Sequence, residues 1–175
     1  MGIVLMKVLI ACEESQAVCK EFRKLGHEAF SNDIIECSGG FPEWHLQMDI
    51  FEAINLKKWD MMIAFPPCTY LSNAGIRWFN EKNYGDRARQ RKQKRLAALQ
   101  FVKDIYNSDI EKICIENPVG YLNKNFRKPT QIIEPYFFGD SFSKTTCLWL
   151  KNLKPLIHIK RSCMFYDKTH SDSKG

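Results

Sequence analysis

Apolar residues recur along this chain in two alternating patterns, one typical of buried strands and one typical of amphipathic helices. Short apolar runs predict strands at residues 4–11, 27–32, 46–49, 61–65 and 112–115. Between these runs, apolar residues at helical spacing predict helices at 15–25, 51–54 and 87–106. Gly26 is predicted to end the first helix, and the apolar stripe of the last is predicted to be Leu96, Leu99, Val102 and Ile105.

The alternation of strands and helices predicts a single α/β domain with a mainly parallel sheet and helices on both faces. Two later apolar runs, at 131–138 and 145–150, are separated by a turn and predict an antiparallel edge to that sheet. The domain is expected to span residues 1–168, followed by a polar, disordered tail at 169–175. Residues 69–86 are predicted to be irregular, which is typical of lids and binding loops.

The composition is that of a globular protein, with 45% hydrophobic and 26% charged residues. No apolar run approaches the roughly 20 residues of a membrane span. Residues 1–11 lead directly into a strand pattern and lack a small-residue cleavage site, so they are interpreted as strand and not as signal peptide. We therefore expect a cytoplasmic protein that does not bind membranes.

The chain has seven cysteines but no Cys-x-x-Cys pair, which favours buried, reduced thiols over disulfides or a zinc site. Cys12, Cys114 and Cys147 lie inside apolar runs. Cys163 and His170 would supply two ligands of a metal site, but nothing in the sequence completes it. No metal is therefore predicted.

Two predicted strands end in residues that can do chemistry. The fourth run ends at Pro66-Pro67, which cannot continue a central strand, and the stiff turn delivers Cys68. The fifth run is followed by Glu116. Ligands of open α/β sheets bind at the carboxyl ends of strands, where a cysteine and a glutamate can act as nucleophile and proton donor. The alternatives are an inert thiol beside structural prolines and a helix-capping acid.

The net charge is +6, and eight basic residues stand against two acidic ones between Arg77 and Arg95. A basic segment so close to Cys68 suits a polyanionic substrate such as DNA, and a solvated helix face is the alternative. Under the first interpretation the predicted phosphate contacts are Arg87, Arg89, Arg91, Lys92, Lys94 and Arg95. The aromatic residues nearby would either stack on bases or pack the loop against the protein; they are Trp78, Phe79 and Tyr84.

Five short motifs between residues 6 and 150 resemble, in order, those of the DNA cytosine-5 methyltransferase family. Pro66-Pro67-Cys68 with Ser72 resembles the nucleophile motif, and Glu116-Asn117 resembles the Glu-Asn motif. The family's mobile loop, which closes over the target base, is resembled by Ala74-Gly75 with Asp86-Arg87. The resemblance implies a Rossmann-like methyltransferase domain in which Cys68 adds to cytosine C6 and Glu116 bonds N3. The substrate would be DNA or a cytosine nucleotide, and small stand-alone chains of this kind resemble phage or prophage genes.

The other two motifs belong to the cofactor side. Asn32-Asp33-Ile34 resembles the acidic position that holds the cofactor ribose, and Asp49-Ile50 resembles the pair that contacts adenine. The resemblance implies S-adenosylmethionine as the methyl donor, in a site made of Cys12, Glu13, Glu14, Asp33, Ile34, Asp49, Ile50 and Pro66. Besides the basic residues, it implies substrate contacts at Pro67, Ser72 and Asn117. Lys144 stands where the family has an arginine-rich motif and is assigned its catalytic role.

The chain departs from the family pattern in ways that favour a second hypothesis. Its first turn, residues 11–16, contains no glycine, although glycine lets a cofactor lie against bare backbone. Glu13 or Glu14 would meet the cofactor's positive charge there, or serve as helix N-terminal acids with Ser15 as a cap. No segment remains for a target-recognition domain. The second hypothesis is a non-methylating homologue that binds nucleic acid or a nucleotide through the same cleft, or does other C5 chemistry with an altered cofactor.

Overall fold

The computed structural model describes residues 4–158, and the predicted tail, Cys163 and His170 lie outside this range. Its strands are Lys7–Ala11 (β1), Glu28–Asp33 (β2), His45–Gln47 (β3), Met61–Ala64 (β4), Lys112–Pro118 (β5), Gln131–Ile133 (β6) and Thr146–Lys151 (β7). Its α-helices are Ala17–Lys24 (α1), Ile50–Leu56 (α2), Glu81–Tyr106 (α3) and Leu122–Asn125 (α4). Short 3₁₀ helices occupy Pro42–Trp44, Asn73–Phe79 and Pro135–Phe138.

Within the described residues seven strands form one sheet in the order β3-β2-β1-β4-β5-β7-β6. The first five strands of this order run parallel, whereas β7 is antiparallel to both β5 and β6. The predicted α/β class, with a mainly parallel sheet and an antiparallel edge, is therefore confirmed. The run at 131–138 forms a shorter strand than predicted, because Pro135 has no N–H to pair and begins a 3₁₀ helix.

The two faces of the sheet carry separate hydrophobic clusters, as expected when helices cover both sides. Alternate residues of β1 point to opposite faces, so Val8 and Ile10 pack on the α1 side while Leu9 packs on the other. The larger cluster, on the Leu9 side, includes residues of α2 and α3. The carboxyl ends of β1, β2, β4 and β5 thus emerge at one edge of a well-packed core.

The prediction that Gly26 ends α1 is confirmed. Gly26 has a φ of +89°, which favours glycine, and its N–H donates to the carbonyl of Arg23 at 2.9 Å. The N–H of His27 donates to the carbonyl of Phe22 at 3.1 Å. These two bonds satisfy carbonyls of the last helical turn and direct the chain into β2.

The prediction that residues 69–86 are irregular is wrong. They contain the 3₁₀ helix Asn73–Phe79 and the first turn of α3, which begins well before the predicted start at residue 87. The side chain of Asn80 accepts the N–H of Lys82 at 3.0 Å and caps this first turn. Gly85 then interrupts the helix, with φ and ψ of 49° and −126°.

The buried stripe of α3 also differs from the prediction at its amino-terminal end. Leu99, Val102 and Ile105 are buried as expected, but Leu96 is 57% exposed. The inward stripe continues at helical spacing through Arg95 and Arg91 to the buried Ala88, so two arginines occupy positions that face the protein.

No helix among the described residues is long and apolar enough to cross a bilayer.

Candidate functional site

The Pro-Pro-Cys loop leaves β4 and is tied to the end of the neighbouring strand. Pro66 is buried, whereas Pro67 and Cys68 are exposed. The side-chain N–H of Asn117, at the end of β5, donates to the carbonyl of Pro66 at 2.7 Å in a buried bond. The carbonyl of Cys68 accepts the N–H groups of Leu71 and Ser72, both at 2.9 Å. The two prolines and these bonds hold Cys68 in one tight turn.

The loop beyond Cys68 is also docked on the segment that follows β5. Ser72 forms an antiparallel bridge with Gly120, and the N–H of Tyr121 donates to the carbonyl of Leu71 at 2.7 Å. A Cβ atom at Gly120 would lie 2.2 Å from that carbonyl oxygen. Only a glycine permits this approach, so the loop that carries Cys68 and the end of β5 form one rigid unit.

Glu116 lies one residue before Asn117 on β5, in the half-buried row of side chains. Burial raises the pKa of its carboxyl group, and the nearby Lys144 and Thr146 act in the opposite sense. The positive charge of Lys144 therefore acts on Glu116, and both residues are predicted to be catalytic. Because its pKa is raised, Glu116 keeps its proton to a higher pH than an exposed glutamate and is suited to donate it.

The segment that carries Lys144 is held by Glu134, a residue that no sequence pattern marks as functional. Its carboxylate accepts the hydroxyl of Ser143 at 2.8 Å and the N–H of Lys144 at 2.9 Å, and it also accepts the hydroxyl of Thr145. These bonds lower the pKa of Glu134, so it stays ionised while it orders the loop. Only the tertiary structure shows that the residue after β6 reaches forward in this way.

On the cofactor side, the structure gathers residues from the ends of β1, β2 and β3. Burial raises the pKa of the Cys12 thiol to about 12, and the carboxylates of Asp33 and Asp49 contribute to the rise. One oxygen of Asp33 accepts the N–H of Ile34 at 2.8 Å, and one oxygen of Asp49 accepts the N–H of Phe51 at 2.8 Å. Each carboxylate is thus oriented by backbone and keeps a second oxygen without a partner among the described residues.

The glycine-free first turn is used to start α1. The carboxylate of Glu13 accepts the N–H groups of Val18 at 2.6 Å and Cys19 at 3.2 Å, which is the helix N-terminal role held as an alternative. Ser15 contributes a weaker cap at 3.4 Å. Glu14 instead points to a second loop, where it accepts the N–H of Ser38 at 3.2 Å and also the Ser38 hydroxyl.

That second loop, residues 38–41, packs directly on the first turn. A Cβ atom at Gly39 would lie 2.5 Å from both the carbonyl oxygen of Ser15 and the Cβ of Gln16. The fully buried side chain of Gln16 donates to the carbonyl of Phe41 at 2.8 Å and accepts its N–H at 3.0 Å. The glycine that allows close backbone approach at this turn therefore belongs to another loop.

Two of the predicted cofactor contacts are core residues. Ile50 is only 4% exposed and belongs to the hydrophobic cluster beneath α2, and Pro66 is buried. Their side chains have almost no surface left for a ligand, in contrast to the exposed Ile34. We correct the assignment accordingly: Ile50 positions α2, which Asp49 caps, and Pro66 anchors the loop that carries Cys68 through its carbonyl.

The prediction that six basic residues of α3 bind phosphates needs correction for Arg91 and Arg95. Arg91 donates to the carbonyl of Thr69 at 3.1 Å, and Arg95 donates to that of Tyr70 at 2.8 Å. The Arg95 guanidinium lies 3.2 Å from the centre of the Phe79 ring, and burial lowers its pKa. These arginines hold the residues that follow Cys68 in place, as their position in the inward stripe indicates.

The other four basic residues lie on the outer faces of α3. Lys92 pairs with Glu81 at 2.5 Å, and Arg89 pairs with Asp86 at 3.3 Å. In the described part of the chain Arg87 and Lys94 make no ion pair. Among the six predicted phosphate contacts, these two therefore have the least competition from protein carboxylates.

Residues 4–158 contain no group of three metal-ligating side chains.

Comparison with protein-family models finds no match to this chain, and comparison with curated proteins finds none. The family resemblance therefore depends on five short motifs and on where the structure places them. The nucleophile and Glu-Asn motifs meet through the bond between Asn117 and Pro66. The two acidic motifs lie at neighbouring strand ends, where the N–H of Met48 donates to the carbonyl of Asp33 at 3.1 Å.

Alkylation distinguishes the exposed thiol from the buried ones. N-ethylmaleimide at about pH 8 should modify Cys68 well before Cys12 and Cys114, because the thiolate is the reactive form. Burial raises the pKa of both Cys12 and Cys114 to about 12, whereas Cys68 is exposed. Peptide mass spectrometry over a time course measures the order, and early labelling of Cys12 would contradict the packing described for the first turn.

The contact at Gly120 makes a stability prediction. Gly120→Ala should lower the free energy of unfolding by about 1–3 kcal/mol, because the new Cβ would meet the carbonyl of Leu71. Val119→Ala is the control, since Val119 adjoins Gly120 and its side chain is exposed. Urea denaturation measures both variants. Equal stability of the two would show that the loop after Cys68 is not docked as described.

Proposed function

We propose that the protein is a cytosine-5 methyltransferase-like enzyme that uses Cys68 as its nucleophile on DNA or a cytosine nucleotide. The observation that carries the proposal is the bond between Asn117 and Pro66, which fixes the Cys68 loop beside Glu116. Cys68 follows β4 and Glu116 lies near the end of β5, and these two strands are parallel neighbours in the sheet. Ligands of open α/β sheets bind at such carboxyl ends.

The fold is consistent with this proposal. A mainly parallel sheet with one antiparallel strand near its edge is what the family resemblance implies for a Rossmann-like methyltransferase domain. The motifs that carry the resemblance lie at strand ends: Asp33 ends β2, Asp49 follows β3, Cys68 follows β4, and Glu116 lies near the end of β5. Helices on both faces leave that edge as the place for a ligand.

In the proposed reaction, the Cys68 thiolate forms a bond from sulfur to cytosine C6. Glu116 gives its proton to N3, which neutralises the charge that develops on the ring and leaves C5 as an enamine carbon. S-adenosylmethionine, when bound, supplies an electrophilic methyl group for C5. A water molecule then takes the C5 proton, and its electron pair re-forms the C5–C6 double bond and expels Cys68 as a thiolate. N3 returns its proton to Glu116. Lys144 beside Glu116 stabilises the glutamate once it has lost its proton.

The residues on the cofactor side fit the adenosine part of S-adenosylmethionine. Asp33 and Asp49 each have a carboxylate oxygen free to accept bonds from a ribose hydroxyl or an adenine amino group. Both act on Cys12, so the two carboxylates converge on one place at the ends of neighbouring strands. We propose that Asp33 holds the ribose and Asp49 the adenine, with Ile34 as an exposed apolar contact.

A second candidate function is a homologue that binds a nucleotide or nucleic acid without methylating it. The observation that favours it is the packing of the Gly39 loop against the first turn. The family has a glycine-rich turn at this position, against which the cofactor lies, and in this chain the Gly39 loop fills that space. Glu13, which is engaged with α1, is not available to neutralise a sulfonium. Cofactor binding is therefore the measurement that separates the two candidates.

Covalent trapping tests the nucleophile. A cytosine-containing oligonucleotide in which the target base is 5-fluorocytosine should form a stable adduct with the protein when S-adenosylmethionine is present, because fluorine cannot leave as a proton does. Denaturing electrophoresis and mass spectrometry detect the adduct and locate it on Cys68. Glu116→Gln should slow its formation by about 100-fold, the scale of general acid catalysis.

Cys68→Ser should abolish the adduct, and Cys37→Ser, at another thiol that is not fully buried, is its matched control. An adduct that forms equally well with Cys68→Ser would overturn the assignment of the nucleophile.

Calorimetry with S-adenosylmethionine tests the cofactor site. Asp33→Ala should weaken binding by about 1–3 kcal/mol, because a ribose hydroxyl would lose its acceptor. Asp109→Ala is the control, since Asp109 is exposed and precedes β5 at the opposite edge of the sheet. If the wild-type protein binds no adenosine cofactor even at millimolar concentration, the non-methylating homologue becomes the better assignment.

A further inference from the structure

A pocket of about 320 Å³ opens beside the nucleophile loop, between the 3₁₀ helix Asn73–Phe79 and α3. Aromatic side chains form much of its wall, from Tyr70, Trp78 and Tyr84. The remaining wall is polar and cationic and includes Arg87, Arg91 and Lys94. We call this cavity the aromatic pocket. It combines flat apolar surfaces with positive charge and has no acidic residue in its lining.

Trp78 and its neighbour Phe79 differ in what they do for the fold. Phe79 is 9% exposed and packs beneath Arg95, so it holds the segment on the protein. Trp78 is 41% exposed and contacts Tyr84 at 4.9 Å between ring centres, inclined by 51°. The Arg77 guanidinium also lies over the Trp78 ring, 4.7 Å from its centre. A nucleobase would stack on the part of the indole that these two neighbours leave exposed.

The charge around the aromatic pocket is not neutralised by the protein. Glu81 and Asp86 pair with Arg89 and Lys92, which are not part of its lining. Arg87 and Lys94 line the pocket, are exposed and make no ion pair among the described residues. Their side chains are therefore free to contact a phosphate next to a base held on the aromatic wall.

The pocket and the nucleophile are neighbours in the chain. Tyr70 is two residues beyond Cys68, a separation that cannot exceed about 7 Å between Cα atoms. Arg91 and Arg95 fix this short connection by their bonds to the carbonyls of Thr69 and Tyr70. A strand of DNA with one base at Cys68 would therefore place an adjacent nucleotide at the aromatic pocket.

We infer that the aromatic pocket binds an unpaired nucleobase and its phosphate, so that the substrate is single-stranded DNA. This inference rests on the proposed function, because it assigns the nucleotide next to the target. In a duplex the adjacent base is stacked and paired, and bringing it to Trp78 would require a second base to be unstacked and unpaired in addition to the target. A single strand presents both bases without that cost, and stacking on Trp78 gives affinity that depends little on sequence.

Fluorescence polarisation tests the inference with a labelled oligodeoxythymidine of about 12 nucleotides, a length within the usual range of single-strand sites. This oligonucleotide has no cytosine, so its binding does not require the reaction at Cys68. We expect it to bind at least about 10-fold more tightly than its duplex with oligodeoxyadenosine. Trp78→Ala should weaken single-strand binding by about 10-fold, whereas Trp78→Phe, which keeps an aromatic face, should retain most of it.

The salt dependence of binding tests the basic residues that line the aromatic pocket. Arg87→Ala combined with Lys94→Ala should lower the slope of log affinity against log salt by about 1.4, since each phosphate on a single strand contributes about 0.7. Lys58→Ala is the control, because Lys58 is exposed and lines a different cavity, near the amino end of β4. Circular dichroism at the temperature of the binding measurement shows whether each variant is folded.

The outcomes separate this inference from the proposed function. Binding of the single strand that depends on Trp78, without trapping by 5-fluorocytosine, would support the pocket and overturn the methyltransferase proposal. Trapping on a duplex at the same rate in wild type and Trp78→Ala would support the proposal and overturn the pocket. The inference also fails if the duplex binds as tightly as the single strand, or if Trp78→Ala leaves single-strand affinity unchanged.

Discussion

The candidate site depends on one buried hydrogen bond, from the side chain of Asn117 to the carbonyl of Pro66. The two prolines remove the N–H groups that would otherwise continue the ladder between β4 and β5, so the loop needs a side chain to hold it. Asn117 provides that bond from the end of the adjacent strand. A buried amide that lost its partner would cost about 1–3 kcal/mol, which gives the arrangement a strong preference for one geometry.

The long helix α3 extends this ordering outward from the site. Its apolar residues pack on the sheet, and two arginines on the same stripe reach the carbonyls that follow Cys68. The same helix therefore contributes to the core at one end and orders the loop that carries Cys68 at the other. Positive charge in this segment has two uses, since the inward arginines order the loop and the outward residues Arg87 and Lys94 remain available to a ligand.

Most of the fold follows from local sequence pattern, and most of the site's internal geometry does not. Runs of apolar residues and the glycine after α1 predict the order of strands and helices, because period and capping are local properties. The helices within residues 73–84 are not evident from the sequence, because their amphipathic pattern is weak and the cap Asn80 is followed by a polar segment and not by an apolar run. The inward arginines were missed because a charged residue on a buried stripe contradicts the usual pattern, although the spacing back from Leu99 indicates them.

Gly85 has a consequence for how the aromatic pocket meets a ligand. Its φ of 49° separates the first turn of α3, which carries Tyr84, from the rest of the helix, and a side chain there would contact nothing within 4 Å. Glu81 spans this break through its ion pairs with Arg89 and Lys92, so the first turn is held to the rest of the helix. The arginine anchors lie on the far side of the break. Gly85 therefore sets the angle between the wall that carries Tyr84 and the regular helix that orders the residues after Cys68.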